Sequence, residues 1–259
     1  MVDVPVKRLR FGQTQRRDAW WVTPAISFLI LGGFVVYATW AAFQGDHYFV
    51  GNYLSPFYSP ELWGGSPHAL FGTKPSFIPE WVPFSPALLI LWAPGGFRFT
   101  CYYYRGNYYK SMWADPPACA VGEPRKHYLG EKVFPLIIQN LHRYFLYFAV
   151  FFLFFLAHDA WKSFWFNDSF GVGVGSLIIT ANVILLGGYT FSCHSMRHLV
   201  GGFLDRFSAQ PARSSCYDCV SSLNRYHHLW AWCSLFCVAG CDVYIRLLSK
   251  GVISDWRIF

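Results

Sequence analysis

The segment Tyr189–Gly202 reads YTFSCHSMRHLVGG and closes a long apolar run. It brings Cys193, His194, Arg197 and His198 within two helical turns. On a helix, His194 and His198 share one face because they are four residues apart. Ionisable groups at membrane depth cost about 2.5–3.5 kcal/mol each, so they need a partner or a purpose. This segment therefore predicts a helical membrane protein with a functional site at the end of a helix.

The composition of the whole chain supports that prediction. Of 259 residues, 54% are hydrophobic and 21% aromatic, and mean hydropathy is +0.27. Only 14% are charged, whereas a soluble domain has about 25%. The net charge of +7 is divided among short loops, so it reflects membrane topology and indicates no nucleic-acid partner. The chain is predicted to be an all-α protein forming a single integral membrane domain over residues 1–259.

Five segments are apolar enough to cross a membrane, which needs about 20 residues for a helix. They are residues 22–43, 86–104, 137–157, 171–193 and 223–248. Residues 94–96 read Pro-Gly-Gly and predict a kink in the second span. The fourth span begins with Gly171, Gly173 and Gly175, which predict close helix–helix contact.

The distribution of basic residues predicts the orientation of these spans. Segments 1–19, 98–143 and 197–226 hold 16 Lys and Arg residues, whereas 44–85, 158–170 and 246–259 hold five. The positive-inside rule then places the N-terminus in the cytoplasm and the C-terminus outside. Residues 44–85 become a long outer loop after the first helix, and residues 105–135 and 199–221 become inner loops.

Thiols and imidazoles concentrate at the predicted inner ends of the helices. Cys101 ends the second span, His142 starts the third, Cys193 ends the fourth and His227 starts the fifth. Further candidates near the same level are Cys119, His194 and His198. Mixed thiolate and imidazole ligands suit zinc or an iron–sulfur cluster. Paired imidazoles suit haem b, for example His142 with His194 or His198.

Aromatic and basic residues surround these candidates. A quinone site needs ring-stacking walls and hydrogen-bond donors to two carbonyl oxygens. The residues that could supply them are Tyr103, Arg105, Trp113, Arg143, His228 and Trp230. The sequence therefore predicts a quinone pocket beside the Cys/His level.

Several motifs resemble a known family. The ending Arg197-His198-Leu199 after His194-Ser195 is similar to the haem-binding helix of complex II cytochrome b subunits, but with a shorter His–His spacing. A closer resemblance is to the five-helix membrane anchor of actinobacterial-type succinate dehydrogenase. It rests on these motifs: RRDAWW from Arg16, YLSPFYSP from Tyr53, TCYYYR from Thr100, PPAC from Pro116, QNLHRYF from Gln139 and FSCHSMRH from Phe191.

The resemblance implies a cofactor and partners. It implies a membrane-embedded Rieske-type [2Fe–2S] centre in place of haem, and flavoprotein and iron–sulfur subunits docked on the cytoplasmic face. It does not assign the four ligands. Cys101, His142, Cys193 and His227 rank first because they come from four helices at one depth. Cys119, His194 and His198 are reserves, and His194 would replace His227 if each ligand pair came from one stretch.

The predicted function is electron transfer in the respiratory chain and tricarboxylic acid cycle. The chain would be the quinone-reducing, multi-pass plasma-membrane subunit of succinate dehydrogenase, surrounded by lipid and without a succinate site of its own. Electrons would pass through the Cys/His centre to quinone, with protons taken from the cytoplasm. The alternatives are a haem b anchor of a related respiratory dehydrogenase and a non-redox membrane scaffold or transporter.

Overall fold

The computed structural model describes residues 8–79, 84–127, 130–167, 169–202 and 205–259. These residues form nine α-helices: α1 (Val22–Gln44), α2 (Pro86–Ile90), α3 (Trp92–Phe99), α4 (Tyr102–Ser111), α5 (His142–Lys162), α6 (Val174–Phe191), α7 (His194–Gly201), α8 (Pro211–Arg225) and α9 (His227–Ser249). Two antiparallel hairpins pair β1 (Phe49–Val50) with β2 (Tyr53–Leu54) and β3 (Trp165–Phe166) with β4 (Ser169–Phe170).

Four helical segments of the described residues are long and apolar enough to cross a membrane. They are α1, the segment Leu136–Lys162, α6 and α9. The segment Leu136–Lys162 begins with a 3₁₀ helix (Leu136–Leu141), and α5 follows from His142. The third, fourth and fifth predicted spans are thus found with shifted ends. The fifth begins at His227 instead of residue 223 because the chain turns at Tyr226, between α8 and α9.

The second predicted span, residues 86–104, is not one continuous helix. It consists of α2 and α3, which end at Phe99, and Cys101 is the N-cap of α4. The helix is interrupted at Leu91 instead of at residues 94–96. Pro94 explains the shift, because a proline ring clashes with the carbonyl group four residues earlier, here that of Ile90.

Both predicted inner loops contain helices. Helix α4 occupies the start of the segment 105–135, and α7 and α8 occupy most of the segment 199–221. Near them, the N-terminal arm folds back on the loop after α4. The Gly12 N–H donates to the Gly122 carbonyl at 2.9 Å, the Gly122 N–H donates to the Gln13 carbonyl at 2.9 Å, and Thr14 Oγ1 donates to the Ala120 carbonyl at 2.8 Å.

The outer loop is bound to the helices by buried polar contacts. Ser59 donates to Asp159 of α5, and His68 Nδ1 lies 2.7 Å from the same carboxylate. Ser55 reaches Asp242 of α9, which also pairs with Arg246 at 2.7 Å. Since all of these contacts lie at one end of the bundle, the loop covers that end.

The three glycines at the start of α6 contact the outer loop and the C-terminal tail. A Cβ atom on Gly175 would lie 2.5 Å from the ring of Tyr53, and one on Gly173 would lie 2.3 Å from Asp255. A Cβ on Gly171 would lie 2.9 Å from the carbonyl oxygen of Phe259. The predicted close approach is therefore present, but its partner is not another helix.

Candidate functional site

The four first-ranked Cys and His residues occupy equivalent positions in the fold. Cys101 and Cys193 are the N-caps of α4 and α7, and His142 and His227 are the first residues of α5 and α9. All four side chains belong to buried residues, with exposures between 0% and 8%. Four helix starts thus meet at the inner end of the bundle.

These residues form two Cys–His pairs. His142 Nε2 lies 2.8 Å from Cys193 Sγ, and His227 Nε2 lies 3.4 Å from Cys101 Sγ. Each pair joins two separate helices. Each histidine therefore directs Nε2, the ring nitrogen farther from its backbone, toward a thiol.

Thr100 fixes the tautomer of His142. Its single hydroxyl proton goes to the Gly96 carbonyl, 2.8 Å away. Thr100 Oγ1 must then accept a hydrogen bond from His142 Nδ1, also at 2.8 Å. A neutral imidazole protonated at Nδ1 keeps its lone pair on Nε2, so the lone pair of His142 faces Cys193.

Ser192 makes the corresponding contact with His227. Its Oγ lies 2.7 Å from His227 Nδ1 and 3.2 Å from the Tyr189 carbonyl. This contact orients the ring so that Nε2 faces Cys101. Outer hydrogen bonds of this kind orient histidine ligands in metalloproteins. Sequence reasoning missed Thr100 and Ser192, although each stands directly before a candidate cysteine.

The backbone around each cysteine favours negative charge on sulfur. The N–H groups of Tyr103 and Tyr104 face the Cys101 thiol, and those of Ser195 and Met196 face the Cys193 thiol. The positive end of a helix dipole adds to this effect at both sites. These N–H groups would balance part of the charge of a thiolate ligand, whereas burial of both residues favours the neutral thiol.

The donor set fits a binuclear group better than one metal ion. Within the described ranges, no three His, Cys, Asp or Glu side chains converge on a point where they could hold one metal ion. The four residues are two cysteines and two histidines, which is the donor set of a Rieske-type [2Fe–2S] group with two cysteines on one iron and two histidines on the other. Thiolate sulfur and imidazole nitrogen are both ligands of such groups.

The three reserve ligands lie outside this arrangement. Cys119 is exposed in the loop that binds the N-terminal arm, and its carbonyl accepts a hydrogen bond from Arg16. His194 and His198 pair with each other on the exposed side of α7, with their Nε2 atoms 3.0 Å apart. Partial burial, with smaller effects from His198 and Arg197, lowers the pKa of His194.

A cavity of about 510 Å³ borders the Cys/His pairs. It is lined by Tyr102, Tyr103, Cys193, His194, Asn224, His227 and His228. Two of the six predicted quinone residues, Tyr103 and His228, are among them. The predicted quinone set did not include the lining residues Tyr102, His194 and Asn224. Residue 224 comes to lie beside α4 and α7 only through the turn between α8 and α9.

The other four predicted quinone residues make other contacts. Arg105 pairs with Glu131 and donates to the Gln139 carbonyl, and Trp113 packs against the inner core cluster. Arg143 is exposed. Trp230 packs on Gly188, where a Cβ atom would lie 2.4 Å from its ring. None of the four lines the 510 Å³ cavity.

Comparison with known proteins gives the family. Residues 22–251 match the family described as actinobacterial succinate dehydrogenase subunit SdhC. The chain belongs to this family. The anchor subunit also resembles a chain of a solved structure, the apo form of the Mycobacterium smegmatis Sdh1 complex, at 44% identity and a TM-score of 0.88. That match covers 99% of this chain and 97% of the other. No curated protein sequence matches the anchor subunit.

Membership in this family confirms part of the sequence prediction. The anchor subunit is a multi-pass plasma-membrane protein of the succinate dehydrogenase type, as predicted. The cofactor, its ligands and the quinone residues stay predictions.

Proposed function

We propose that the anchor subunit carries electrons from a docked iron–sulfur subunit to a membrane quinone through a Rieske-type [2Fe–2S] group. Cys101, His142, Cys193 and His227 would hold it. The observation that carries this proposal is that two buried cysteines and two buried histidines meet at four helix starts, with both Nε2 atoms directed at thiols. When bound, such a group takes up and releases one electron at a time.

The residues of this chain would prepare the site for that chemistry. Thr100 would orient His142 and Ser192 would orient His227, so that both Nε2 atoms face the cluster, and the surrounding backbone N–H groups would balance part of the thiolate charge. Burial excludes water from the four ligands, which protects reactive thiols. His227, at 8% exposure, is the only one of the four that is more than 1% exposed. His227 also borders the 510 Å³ cavity, which connects this ligand with the predicted inner side of the bundle.

The partners would be a flavoprotein and an iron–sulfur subunit on the cytoplasmic face. The solved relative is part of a succinate dehydrogenase complex, and succinate would be oxidised in such a partner. Exposed basic side chains near the inner end are available for docking: Arg8, Arg10, Arg17, Lys110 and Lys126. This orientation, with the N-terminus inside and the C-terminus outside, would require α2, α3 and the start of α4 together to make a fifth crossing.

A haem b anchor fits the geometry less well. His194 and His198 are on one helix with their Nε2 atoms in contact, so they cannot bind a haem from opposite sides. His142 and His194 both contact the ring of Tyr102, at 5.3 and 5.2 Å between centroids. A haem between them would have to displace that ring.

A transporter is also less well supported. Proton-coupled carriers use ionisable side chains within their spans. Asp242, the acidic residue predicted inside a span, is bonded to Ser55, Tyr37 and Arg246. Its two carboxylate oxygens therefore connect α9 to α1 and the outer loop, which is a structural role.

The test is a paired optical and EPR spectrum of the purified, dithionite-reduced complex. A Rieske-like EPR signal without a haem α-band is the expected result. A haem α-band without that signal would instead indicate that the histidines bind haem. If both signals were missing, the redox function would be wrong and the non-redox scaffold would be favoured.

A further inference from the structure

His194 and His198 form a histidine pair on the exposed side of α7. Their Nε2 atoms lie 3.0 Å apart, and their ring centroids lie 4.5 Å apart with the rings inclined at 75°. The two residues are four apart in the sequence, so the helix itself holds their side chains next to each other. Both are exposed, whereas the four first-ranked cysteines and histidines are buried. The pair is therefore a separate group of potential metal ligands.

The distance between the two Nε2 atoms fits the chelation of one metal ion. Metal ions such as zinc bind imidazole nitrogen at about 2.0–2.1 Å. An ion at that distance from both Nε2 atoms would hold them at an angle of about 90–100°, because the two atoms are 3.0 Å apart. Neighbouring ligands of a square-planar or octahedral ion enclose an angle of about 90°. The pair could thus occupy two neighbouring positions of such an ion without a change in the backbone of α7.

A hydrogen bond between the two imidazoles is the alternative interpretation of this contact. A straight N–H···N bond would set the ring centroids farther apart than the observed 4.5 Å, because each centroid lies behind its nitrogen. The contact is therefore bent, and bending weakens a hydrogen bond. Rings whose Nε2 lone pairs converge on a shared ion are bent in the same way. An exposed hydrogen bond also competes with water, so it contributes little to stability.

The neighbouring side chains leave the histidine pair accessible. Arg197 lies between the two histidines in the sequence, but it donates to Ser221 Oγ at 3.1 Å and to Tyr217 Oη at 2.9 Å. Its guanidinium is thus held against α8 and does not cover the pair. The ring of Tyr102 contacts the ring of His194 edge to face, with 5.2 Å between centroids. This contact limits the rotation of His194 and keeps its Nε2 beside α7.

The other positions of a bound ion would be filled by water. Within the described ranges, no third His, Cys, Asp or Glu side chain joins the pair. His194 also lines the 510 Å³ cavity, so water can approach the ion from the cavity as well as from the exposed side of α7. A site with two protein ligands and several waters binds its ion reversibly, because the waters exchange freely.

We propose that His194 and His198 bind a divalent transition-metal ion, with Cu²⁺ held more tightly than Ni²⁺ or Zn²⁺. In the neutral pair without an ion, one Nε2 carries a proton and the other accepts it. On binding, that proton moves to Nδ1 of the same ring, so both Nε2 lone pairs face the ion and no proton is released. The site is independent of the proposed [2Fe–2S] group, whose candidate ligands are the buried cysteines and histidines.

The first experiment is EPR of Cu²⁺ added to the intact, air-oxidised complex, purified without a polyhistidine tag. Exposed thiols, among them Cys119, Cys216 and Cys219, are first blocked with N-ethylmaleimide so that they do not bind copper. One bound Cu²⁺ with hyperfine splitting from two nitrogen nuclei is the expected result. His198→Gln should abolish this two-nitrogen signal. His127→Gln is the matched control, because His127 is also exposed, and it should leave the signal unchanged.

Two outcomes of that experiment would overturn the proposal. One is a wild-type complex that binds no copper with two nitrogen ligands. The other is a two-nitrogen signal that persists in His198→Gln. Succinate oxidation by artificial dyes shows that each variant has assembled, and it should not change.

The second experiment needs no variant. Diethyl pyrocarbonate modifies accessible histidines of the wild-type complex, and mass spectrometry identifies the modified peptides. Zn²⁺ should protect His194 and His198 from modification and leave the modification of His127 unchanged. Equal modification of the pair with and without Zn²⁺, or no modification of the pair in either case, would overturn the proposal.

Discussion

Replacing Thr100 by valine removes one hydroxyl group from the candidate site and keeps the shape of the side chain. Thr100 Oγ1 is the acceptor for His142 Nδ1, and both residues are fully buried. Without it, Nδ1–H has no partner and water has no access. We expect the bound cluster to be held less tightly, because the imidazole loses the contact that orients Nε2 toward Cys193.

The size of the effect follows from two independent considerations. An unsatisfied buried donor costs about 1–3 kcal/mol. Loss of an outer hydrogen bond to a metal ligand typically reduces affinity by about 10- to 100-fold, which is about 1.4–2.8 kcal/mol. Ser192→Ala should have a smaller effect than Thr100→Val. His227 borders the 510 Å³ cavity, where water can replace the lost hydroxyl.

The assay is the rate at which a chelator removes iron from the purified complex, followed by EPR. Thr100→Ser keeps the hydroxyl and is the matched control. Succinate oxidation by dyes shows that the complex has assembled. A release rate for Thr100→Val equal to that of the wild type would refute the assigned role of the hydroxyl and the Nε2 ligation that depends on it.

Four further predictions concern other parts of the molecule. His142→Ala should abolish quinone reduction and leave dye-linked succinate oxidation intact; normal quinone reduction would remove His142 from the ligand set. Asp242→Ala leaves Arg246 buried without its ion pair. This should lower the free energy of unfolding by about 3–5 kcal/mol. Thermal unfolding in detergent measures the change, and a variant as stable as the wild type would show that the pair contributes little. Gly188→Ala should lower the free energy of unfolding by about 1–3 kcal/mol, because its Cβ would lie 2.4 Å from the ring of Trp230. Gly187→Ala, whose Cβ meets nothing within 4 Å, is the control in the same unfolding assay, and equal effects would contradict the steric argument. The hydrogen bond from Arg16 lowers the pKa of Asp18, so this contact should stabilise the N-terminal arm above about pH 4 and be lost as the pH falls further. Limited proteolysis of the arm at pH 7 and pH 3 tests this, and Asp18→Asn should remove the difference.

The long helices could be predicted because their signal is local. An apolar run of about 20 residues indicates a span whatever its neighbours are, and α1, α5, α6 and α9 were all recognised. The break of the second span at Leu91 was not, because the effect of a proline falls on the preceding turn. Helix α8 was missed since its low hydrophobicity resembles that of a loop.

The sequence was sufficient to rank the four candidate ligands but not to derive the contacts between them. Topology alone indicated that Cys101, His142, Cys193 and His227 reach one depth. Which thiol faces which imidazole depends on how α4, α5, α7 and α9 pack, and that information is not local.

The two Cys–His pairs are nested along the chain, and this has a consequence for how the subunit is made. His142 and Cys193 are 51 residues apart, whereas Cys101 and His227 enclose them at a separation of 126 residues. During synthesis the inner pair can therefore meet as soon as α7 has formed, while Cys101 waits for the last helix. A nascent chain halted before α9 would hold one completed pair and one unpartnered thiol. If the proposed function is right, insertion of the cluster follows docking of α9, and that last helix separates an empty subunit from a loaded one.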